Sequence, residues 1–281
     1  MGVIVAKFGG TSLSCVEQFC KVRDIILSDA NRRYVIPSAP GKRYSNDTKI
    51  TDLLYMCHER ARQSLAFDDI FNVIAQRYKE IIEGLDLNLD LEPELNEIKT
   101  KIQEGASADY TASRGEYLNG IILAELLGYD FIDAADIILF DSKRAFDSEG
   151  TNEAVIQRLQ HHERAVIPGF YGSMPDGQIK TFSRGGSDIT GAIVARGVNA
   201  DIYESWTDVS GFMMADPKIV DNPKPIRKIT YRELRELAYM GASVLHADSI
   251  FPVKKAGIPV HIKNTNAPSD PGTIIVNEAE P

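Results

Sequence analysis

Two glycine pairs, each preceded by a basic residue and followed by hydroxyl side chains, have the composition of anion-binding turns. The first lies at residues 7–12 (KFGGTS), directly after a short apolar run. Glycines let main-chain N–H groups approach an anion, a following helix adds its positive end, and the Lys7 ammonium can meet a transferring phosphoryl group. This lysine precedes the glycines, whereas it follows them in a Walker A loop. The segment predicts a phosphate site other than a P-loop, or alternatively a plain strand-to-helix turn with a surface lysine.

The second glycine pair lies in the segment FSRGGSD at residues 182–188. Arg184 could hold a carboxylate through two parallel hydrogen bonds, which a lysine cannot do. Asp188 lies near a predicted helix start, where it could act in a site or only cap the helix. Between the two pairs, Glu116 follows a glycine at another predicted helix start, where it could bind an ammonium group or merely complement the helix dipole. Two glycine-rich turns suit a triphosphate and an acidic acceptor.

Composition limits the class of protein. The chain is 43% hydrophobic and 25% charged, and no segment approaches the roughly 18 apolar residues of a membrane span. The N-terminus, MGVIVAKFGG, lacks the features of a signal peptide, so we expect a cytosolic protein. The three cysteines lack Cys-x-x-Cys spacing and the five histidines are mostly scattered, which predicts neither a disulfide framework nor a zinc site. A net charge of −9 argues against nucleic-acid binding by bulk electrostatics.

The hydrophobic periodicity predicts alternating strands and helices. Strands are predicted at 3–6, 34–36, 137–140, 165–167, 201–206, 260–263 and 273–276. Helices are predicted after a Ser14–Glu17 capping box, within 53–104, at 115–127, from just after the glycine pair 185–186 to about 196, and at 231–239 and 244–256. The stretch LDLNLDLEP at 85–93 has no assignment, and residues 37–49 predict a long loop of the kind that often carries function. This alternation predicts an α/β fold, a three-layer αβα sandwich with a mostly parallel central sheet.

Five segments resemble the aspartokinases of the amino acid kinase superfamily. They are residues 7–12, 114–116, 184–188, 206–211 with 216–218, and 236–242 with 244–246, in the family's order and across nearly the whole chain. The resemblance implies the amino acid kinase fold and the ATP-dependent phosphorylation of L-aspartate to 4-phospho-L-aspartate and ADP. That reaction is the first step of lysine, threonine and methionine biosynthesis. It also implies one catalytic domain over 1–281, with a substrate-binding part at about 1–180 and a nucleotide-binding part at about 181–281.

The same resemblance implies roles for individual residues. Lys7, Gly9 and Gly10 would handle the phosphoryl group, and Asp188 would organise the catalytic lysines. Substrate-binding residues would be Ser38, Thr51, Glu116, Phe170, Arg184 and Ser187, with Glu116 paired to the α-ammonium and Arg184 to a carboxylate. Nucleotide-binding residues would be Lys7, Gly10, Thr207, Asp208, Asp216, Lys218, Lys263 and Asn264. Lys218 stands where some relatives have arginine. The lysine keeps the positive charge but loses the bidentate hydrogen-bonding geometry of a guanidinium.

The implied reaction needs no general base. An aspartate side chain, with an unperturbed pKa of about 3.9, is already ionised at neutral pH. Lysines, main-chain amides and Mg²⁺ must instead neutralise charge while acceptor and ATP align; the direct Mg²⁺ ligands stay unknown. The alternatives are a sister amino acid kinase acting on another acidic substrate, such as glutamate or N-acetylglutamate, and a non-catalytic nucleotide- or amino-acid-binding regulator. Glu116 favours a free amino acid, because an N-acetylated substrate has no ammonium group.

The resemblance also implies partners and domains. Expected partners are the small molecules aspartate and MgATP, and neither nucleic acid nor a membrane is expected. The sequence leaves the oligomeric state open, with a homodimer as one alternative. Aspartokinases usually continue into a pair of ACT domains that bind the feedback amino acid, and we expect none within residues 1–281. A catalytic piece of a longer protein and a naturally short form both fit the sequence. The region 68–104 has no predicted role.

Overall fold

The computed structural model describes residues 2–183, 185–215, 220, 223–239, 245 and 247–277. The strands are β1 (Ile4–Phe8), β2 (Arg32–Pro37), β3 (Asp130–Phe131), β4 (Ala165–Val166), β5 (Tyr171–Ser173), β6 (Ile179–Thr181), β7 (Ile202–Thr207), β8 (Lys228–Thr230), β9 (Val260–Asn264) and β10 (Thr273–Val276). The helices are α1 (Val16–Leu27), α2 (Ile50–Arg62), α3 (Asp68–Gly84), α4 (Glu92–Gln103), α5 (Ala108–Leu127), α6 (Ser148–Leu159), α7 (Gly186–Gly197), α8 (Tyr231–Tyr239) and α9 (Phe251–Ala256).

One central sheet has the strand order β3-β4-β2-β1-β7-β9-β10-β8, and β5 pairs with β6 in a separate hairpin. Neighbouring strands of the central sheet are parallel except for the antiparallel pair β9–β10. A parallel pair needs a crossover connection, and helices in these connections cover the sheet. The predicted α/β fold with a mostly parallel sheet is therefore confirmed.

Two hydrophobic clusters show that helices lie on both faces of the sheet. In β1 the side chain of Val5 belongs to one cluster, while its neighbour Ala6 belongs to the other. Successive side chains of a strand point to opposite faces, so the two clusters lie on opposite sides. Buried residues of α6–α9 join the cluster of Val5, and those of α1–α5 join the cluster of Ala6. The result is the predicted three-layer αβα sandwich.

Several element boundaries differ from the predictions. The predicted strand 137–140 is wrong, because the structure has only isolated bridges from Leu139 and Phe140, and the strand β3 lies earlier. The predicted capping box is also wrong, since the Ser14 hydroxyl donates to the carbonyl of Thr11 and Cys15 precedes α1. The helical region 53–104 consists of α2, α3 and α4, with most of the stretch 85–93 connecting the last two. The short strands β5, β6 and β8 were not predicted.

Helix α5 starts seven residues before its predicted start. The Ser107 side chain caps it by accepting a hydrogen bond of 3.1 Å from the amide of Tyr110. Glu116 consequently lies inside the helix rather than in its first turn, so the prediction that it sits at a helix start is wrong. The helix dipole stabilises a negative side chain only within about the first turn of a helix, so it does not offset the cost of a buried charge on Glu116.

Two predicted C-terminal elements agree closely with the structure. Helix α8 and strand β10 have the predicted bounds. The helix predicted at 244–256 lies partly outside the described residues, and its described part is a 3₁₀ turn at Ala247–Ile250 followed by α9. Every helix within the described ranges is too short or too polar to cross a lipid bilayer.

Candidate active site

The carboxyl ends of β1, β7 and β9 form one edge of the central sheet. The pairing places Lys7 beside Ser205 and Trp206 beside Lys263. In open α/β sheets this edge is where ligands bind. The first glycine turn after β1 and the residues that follow β7 and β9 therefore meet where chemistry is expected.

The first glycine turn is held on both of its sides. The amide of Gly9 donates to the carbonyl of Trp206 at 3.0 Å, and the carbonyl of Gly10 accepts from the amide of Gly41 at 2.8 Å. A Cβ atom on Gly10 would lie 2.7 Å from the carbonyl oxygen of Ala39, closer than any ordinary contact. A glycine is required at position 10 because the 38–49 loop packs its backbone directly onto the turn.

A largely buried ion pair joins the two glycine turns. The Lys7 Nζ lies 2.9 Å from Oδ1 of Asp188, with side chains that are 10% and 17% exposed. The same Oδ1 accepts a hydrogen bond of 3.1 Å from Ser205, and the Tyr203 hydroxyl donates to the Asp188 main-chain carbonyl at 3.1 Å. Gly185 precedes α7 without any side-chain cap. The carboxylate of Asp188 thus faces Lys7 instead of capping its own helix.

A cavity of about 230 Å³ opens beside this ion pair. Five different parts of the chain supply its walls: the end of β1, the residue after β2, the start of α2, the middle of α5, and the segment from Phe170 to α7. The lining residues are Lys7, Ser38, Thr51, Glu116, Phe170, Gly185, Gly186, Ser187 and Asp188. The structure therefore brings together all the predicted substrate-binding residues that it describes. Arg184 lies outside the described residues.

Glu116 is the unusual group of the cavity. Its side chain is buried, with 6% of the residue exposed, and burial raises the pKa of this carboxyl from 4.5 to about 8, against the opposing effects of the main chain at Ala39 and the charge of Arg114. Within the described residues its Oε2 atom has no hydrogen-bond partner. A buried carboxylate is costly unless it is paired, so this oxygen is suited to a cationic ligand group.

Phe170 forms a strained wall of the cavity. Its φ of 83° lies in a region that bulky residues rarely adopt, and its amide donates to the Thr190 hydroxyl at 3.1 Å. The ring packs against the start of α7, where a Cβ on Gly186 would lie 2.5 Å from Cδ2 of Phe170. Such strain persists only where surrounding contacts fix it, and it concentrates at functional sites.

The predicted nucleotide-binding residues lie along the neighbouring part of the sheet edge. Thr207 pairs with Asn264 at the ends of β7 and β9, and Asp208 accepts a hydrogen bond of 3.2 Å from the Thr207 hydroxyl. The Lys263 ammonium lies 5.2 Å from the centre of the Trp206 ring. The structure thus groups Thr207, Asp208, Lys263 and Asn264 near Lys7, while Asp216 and Lys218 lie outside the described residues.

Sequence reasoning missed three residues that shape this site. Ser205 and Tyr203 hold Asp188, and Asn119 donates from Nδ2 to the carbonyl of Ser38 at 2.6 Å. The strand register gives Ser205 its place beside Lys7, and no local pattern encodes that register. Asn119 lies one helical turn from Glu116 on α5, which is a spacing that could have identified it.

Comparison with known proteins identifies the family. The model of the Amino acid kinase family matches residues 2–264. This chain belongs to the amino acid kinase family.

Its relatives within that family are aspartokinases, as the sequence resemblance predicted. The chain is 38% identical to Aspartokinase 3 of Bacillus subtilis, over 98% of this chain and 64% of that protein. It is 29% identical to the lysine-sensitive aspartokinase 3 of Escherichia coli, over 99% of this chain and 65% of that protein. The chain thus spans less than two thirds of the length of these relatives.

Solved structures give the same result. The crystal structure of Clostridium acetobutylicum aspartate kinase superimposes with a TM-score of 0.95 at 58% identity, covering 98% of this chain and 63% of that one. The E. coli aspartokinase III, solved in complex with aspartate and ADP, superimposes with a TM-score of 0.85 at 28% identity, covering 99% and 65%. These comparisons confirm the predicted amino acid kinase fold.

Proposed function

We propose that this chain is an aspartate kinase catalytic domain that transfers the γ-phosphoryl group of ATP to the side-chain carboxylate of L-aspartate. One observation carries the proposal: a single cavity is lined by Glu116, whose buried Oε2 has no hydrogen-bond partner among the described residues, and by the Lys7–Asp188 ion pair. The carboxylate suits the ammonium group of a free amino acid, and the lysine suits a phosphoryl group. The similar E. coli enzyme was crystallised with aspartate and ADP.

The proposed mechanism relies on positioning and charge. Glu116 binds the α-ammonium of aspartate and thereby directs the ionised side-chain carboxylate towards Lys7 and the start of α7. The main-chain N–H groups at Gly186 and Ser187 belong to the first turn of α7, where the helix dipole favours anions. The carboxylate oxygen attacks the γ-phosphorus, the bond to the bridging oxygen of ADP breaks, and an acyl phosphate forms. Lys7 stabilises the charge on the transferring group.

Asp188 has a supporting role in this mechanism. Its hydrogen bond to Ser205 and the contact of Tyr203 with its main chain fix the carboxylate, and the carboxylate fixes the ammonium of Lys7. A buried ion pair adds little net stability, because desolvation offsets its Coulombic gain. Its position beside a cavity is therefore better explained by orientation of the lysine than by stability.

Nucleotide binding is proposed for the part of the chain from about 181 to 281, and aspartate binding for the part from about 1 to 180. The sheet order supports the division, because β3, β4, β2 and β1 lie on one side of the β1–β7 junction and β7, β9, β10 and β8 on the other. Thr207, Asp208, Lys263 and Asn264 lie on the nucleotide side, and Asp216 and Lys218 are proposed to join them. Arg184 is proposed to bind a carboxylate of aspartate.

Mg²⁺ enters the proposal as part of the MgATP co-substrate. Among the residues that the structure describes, no group of three or more His, Cys, Asp or Glu side chains could hold a metal ion. Mg²⁺ in kinase sites binds phosphate oxygens and water with few protein carboxylates, so a protein cage is not required. The cytosolic location and the homodimer stay predictions from the sequence.

The test is ADP release from MgATP with aspartate, glutamate, N-acetylaspartate and N-acetylglutamate as acceptors. We expect turnover with aspartate and formation of a hydroxylamine-reactive acyl phosphate. Glutamate as the preferred acceptor would establish the sister kinase instead. Equal turnover with N-acetylaspartate would exclude an ammonium-binding role for Glu116, and absence of turnover with every acid would leave a non-catalytic binding protein.

A further inference from the structure

The 38–49 loop between β2 and α2 contributes to both halves of the proposed reaction site. Its first residue, Ser38, lines the cavity, and Thr51 lines it just beyond the loop's end. Its fourth residue, Gly41, supports the first glycine turn, because the Gly41 amide donates to the Gly10 carbonyl at 2.8 Å. A displacement of this loop would therefore move the aspartate wall and the glycine turn together.

Helix α3 holds this loop through the buried Arg77, and its exposed Glu80 adds an ion pair of 3.6 Å with Arg43 of the loop. Arg77 is buried, with 3% exposed, and its Nη2 atom donates to the Gly41 carbonyl at 2.7 Å. Nη1 donates to the carbonyl of Thr48 at 2.9 Å, and Nη2 also reaches the carbonyl of Ser14 at 3.4 Å. The guanidinium thus connects two points of the loop with the segment that follows the first glycine turn.

The acidic partner of Arg77 belongs to the same loop. Asp47 lies 3.6 Å from Nη1 of Arg77, and it accepts hydrogen bonds from the Arg43 main chain and guanidinium. The hydrogen bonds from Arg43 and the charge of Arg77 hold the pKa of Asp47 well below its usual range. The loop is therefore closed by its own ion pair and fixed to α3 through Arg77.

We propose that Arg77 is a positioning residue for phosphoryl transfer. By donating hydrogen bonds to the carbonyls of Gly41, Thr48 and Ser14, it fixes the 38–49 loop against the first glycine turn. Arg77 is not among the residues that line the cavity, so it acts through the loop. The inference rests on the proposed kinase function. It gives a role to α3, which belongs to the 68–104 region.

The chemistry explains why an arginine suits this position better than a lysine. A guanidinium presents five N–H donors in a rigid fork, so it can serve several carbonyls at once, whereas a lysine is a compact point charge. An apolar replacement would leave buried carbonyls without donors, and the loop would shift to reach water. A displacement of about 1 Å at a reacting centre can cost on the order of a hundredfold in rate.

The experiment compares Arg77→Met and Arg77→Lys with two control variants of the same helix. Ile74→Val removes a buried methyl group from the hydrophobic cluster of Ala6, and Lys79→Met removes an exposed charge. The measurements are thermal unfolding, kcat and KM for aspartate, and hydrogen exchange of the 38–49 amides. A merely structural defect lowers the folded fraction, and hence the apparent kcat, but leaves KM unchanged.

For Arg77→Met we expect KM for aspartate to rise at least about fivefold, kcat to fall at least about tenfold, and exchange within 38–49 to accelerate. Arg77→Lys should lie between Arg77→Met and wild type, and it also serves if Arg77→Met does not fold. Both controls should keep the wild-type KM and loop protection. Wild-type KM and loop exchange in both Arg77 variants would overturn the proposal, as would an equal rise in KM for Ile74→Val.

Hydrogen exchange separates this inference from the function on which it rests. If the wild-type chain phosphorylates no acid, the kinase proposal fails, and the exchange data still test the link between Arg77 and the loop. Unchanged protection of the Gly41 amide in Arg77→Met would then refute the positioning of the loop by Arg77.

Discussion

At the scale of single residues, the site combines one ionised pair with one unpaired carboxyl. Lys7 and Asp188 satisfy each other, whereas the buried Glu116 has one oxygen, Oε2, without a hydrogen-bond partner in the part of the chain that the structure describes. An unpaired buried carboxylate destabilises the protein without ligand, and the same desolvation strengthens its attraction for a cation. Glu116 is therefore a position where stability and binding are expected to oppose each other.

The first prediction is that Glu116→Gln stabilises the ligand-free protein at high pH. The folded-state pKa of Glu116 is raised from 4.5 to about 8, so between these values the folded state binds more protons than the unfolded state. Stability then falls as pH rises through this window and stays lowered above pH 8. Thermal unfolding should show no difference between variant and wild type near pH 4.5 and a higher Tm for Glu116→Gln at pH 8–9.

The same substitution should weaken aspartate binding, which separates it from an ordinary stabilising change. A hydrogen bond to a charged group contributes roughly 1.5–3 kcal/mol, which corresponds to a KM for aspartate about ten- to a hundredfold higher. The KM for ATP serves as the internal control and should change little. A rise in the ATP constant alone would place Glu116 on the nucleotide side.

The second prediction is that Lys7 contributes more to kcat than Ser205, which donates a hydrogen bond to its partner Asp188. Lys7→Ala should lower kcat by at least about a hundredfold with a smaller effect on KM, because its charge acts where phosphoryl charge develops. Ser205→Ala removes one hydrogen bond to Asp188 and should lower kcat by only about three- to tenfold. Steady-state kinetics of both variants test the ranking; near-normal turnover by folded Lys7→Ala would remove this lysine from catalysis.

At the scale of elements, local patterns predicted most of the longer strands and helices but not their mutual placement. β7 and α7 are confirmed with small shifts at their ends, since the glycine pair and the apolar runs mark them locally. The start of α5 was missed because Ser107 caps a turn whose residues lack strong periodicity. The contacts of Ser205 with Asp188 and of Arg77 with the 38–49 loop depend on register and tertiary packing, which no local pattern contains.

The third prediction concerns the contact between Phe170 and the start of α7. Gly186→Ala would place a Cβ 2.5 Å from Cδ2 and 2.9 Å from Cα of Phe170, so the wall of the cavity must move. We expect kcat/KM for aspartate to fall at least about tenfold, because misplaced groups lose near-attack geometry. Gly177→Ser is the matched control, since a Cβ at this solvent-exposed turn would contact nothing within 4 Å.

The control substitution is itself expected to lower Tm, so the two variants are compared in Tm and in kcat/KM. Gly177 has a positive φ of 80°, so a serine there is strained and should lower Tm without entering the cavity. Comparable Tm losses with a selective loss of kcat/KM in Gly186→Ala would support the prediction. Equal kinetic losses in the two variants would show that general destabilisation is responsible.

At the scale of the whole molecule, a strongly acidic protein is proposed to bind two anionic substrates. The net charge of −9 opposes their approach, so local groups must reverse the potential. Lys7, the first turn of α7 and Lys263 lie at one sheet edge, where parallel strands end together. The cavity also joins segments that are far apart in the chain, from Lys7 to Asp188.

The last prediction is that aspartate raises the thermal stability of the whole chain in one transition. A ligand that binds only the folded state at a hundredfold its Kd adds about 2.7 kcal/mol, which shifts Tm by on the order of 5 °C for a chain of this size. Succinate keeps both carboxylates but lacks the ammonium group that Glu116 is proposed to bind, so its shift should be much smaller. Differential scanning calorimetry with each ligand, on wild type and Glu116→Gln, gives the comparison. In Glu116→Gln the difference between aspartate and succinate should largely disappear. Equal shifts for the two ligands in wild type would show that the ammonium is not recognised, and a second unshifted transition would show that the two parts of the sheet unfold independently.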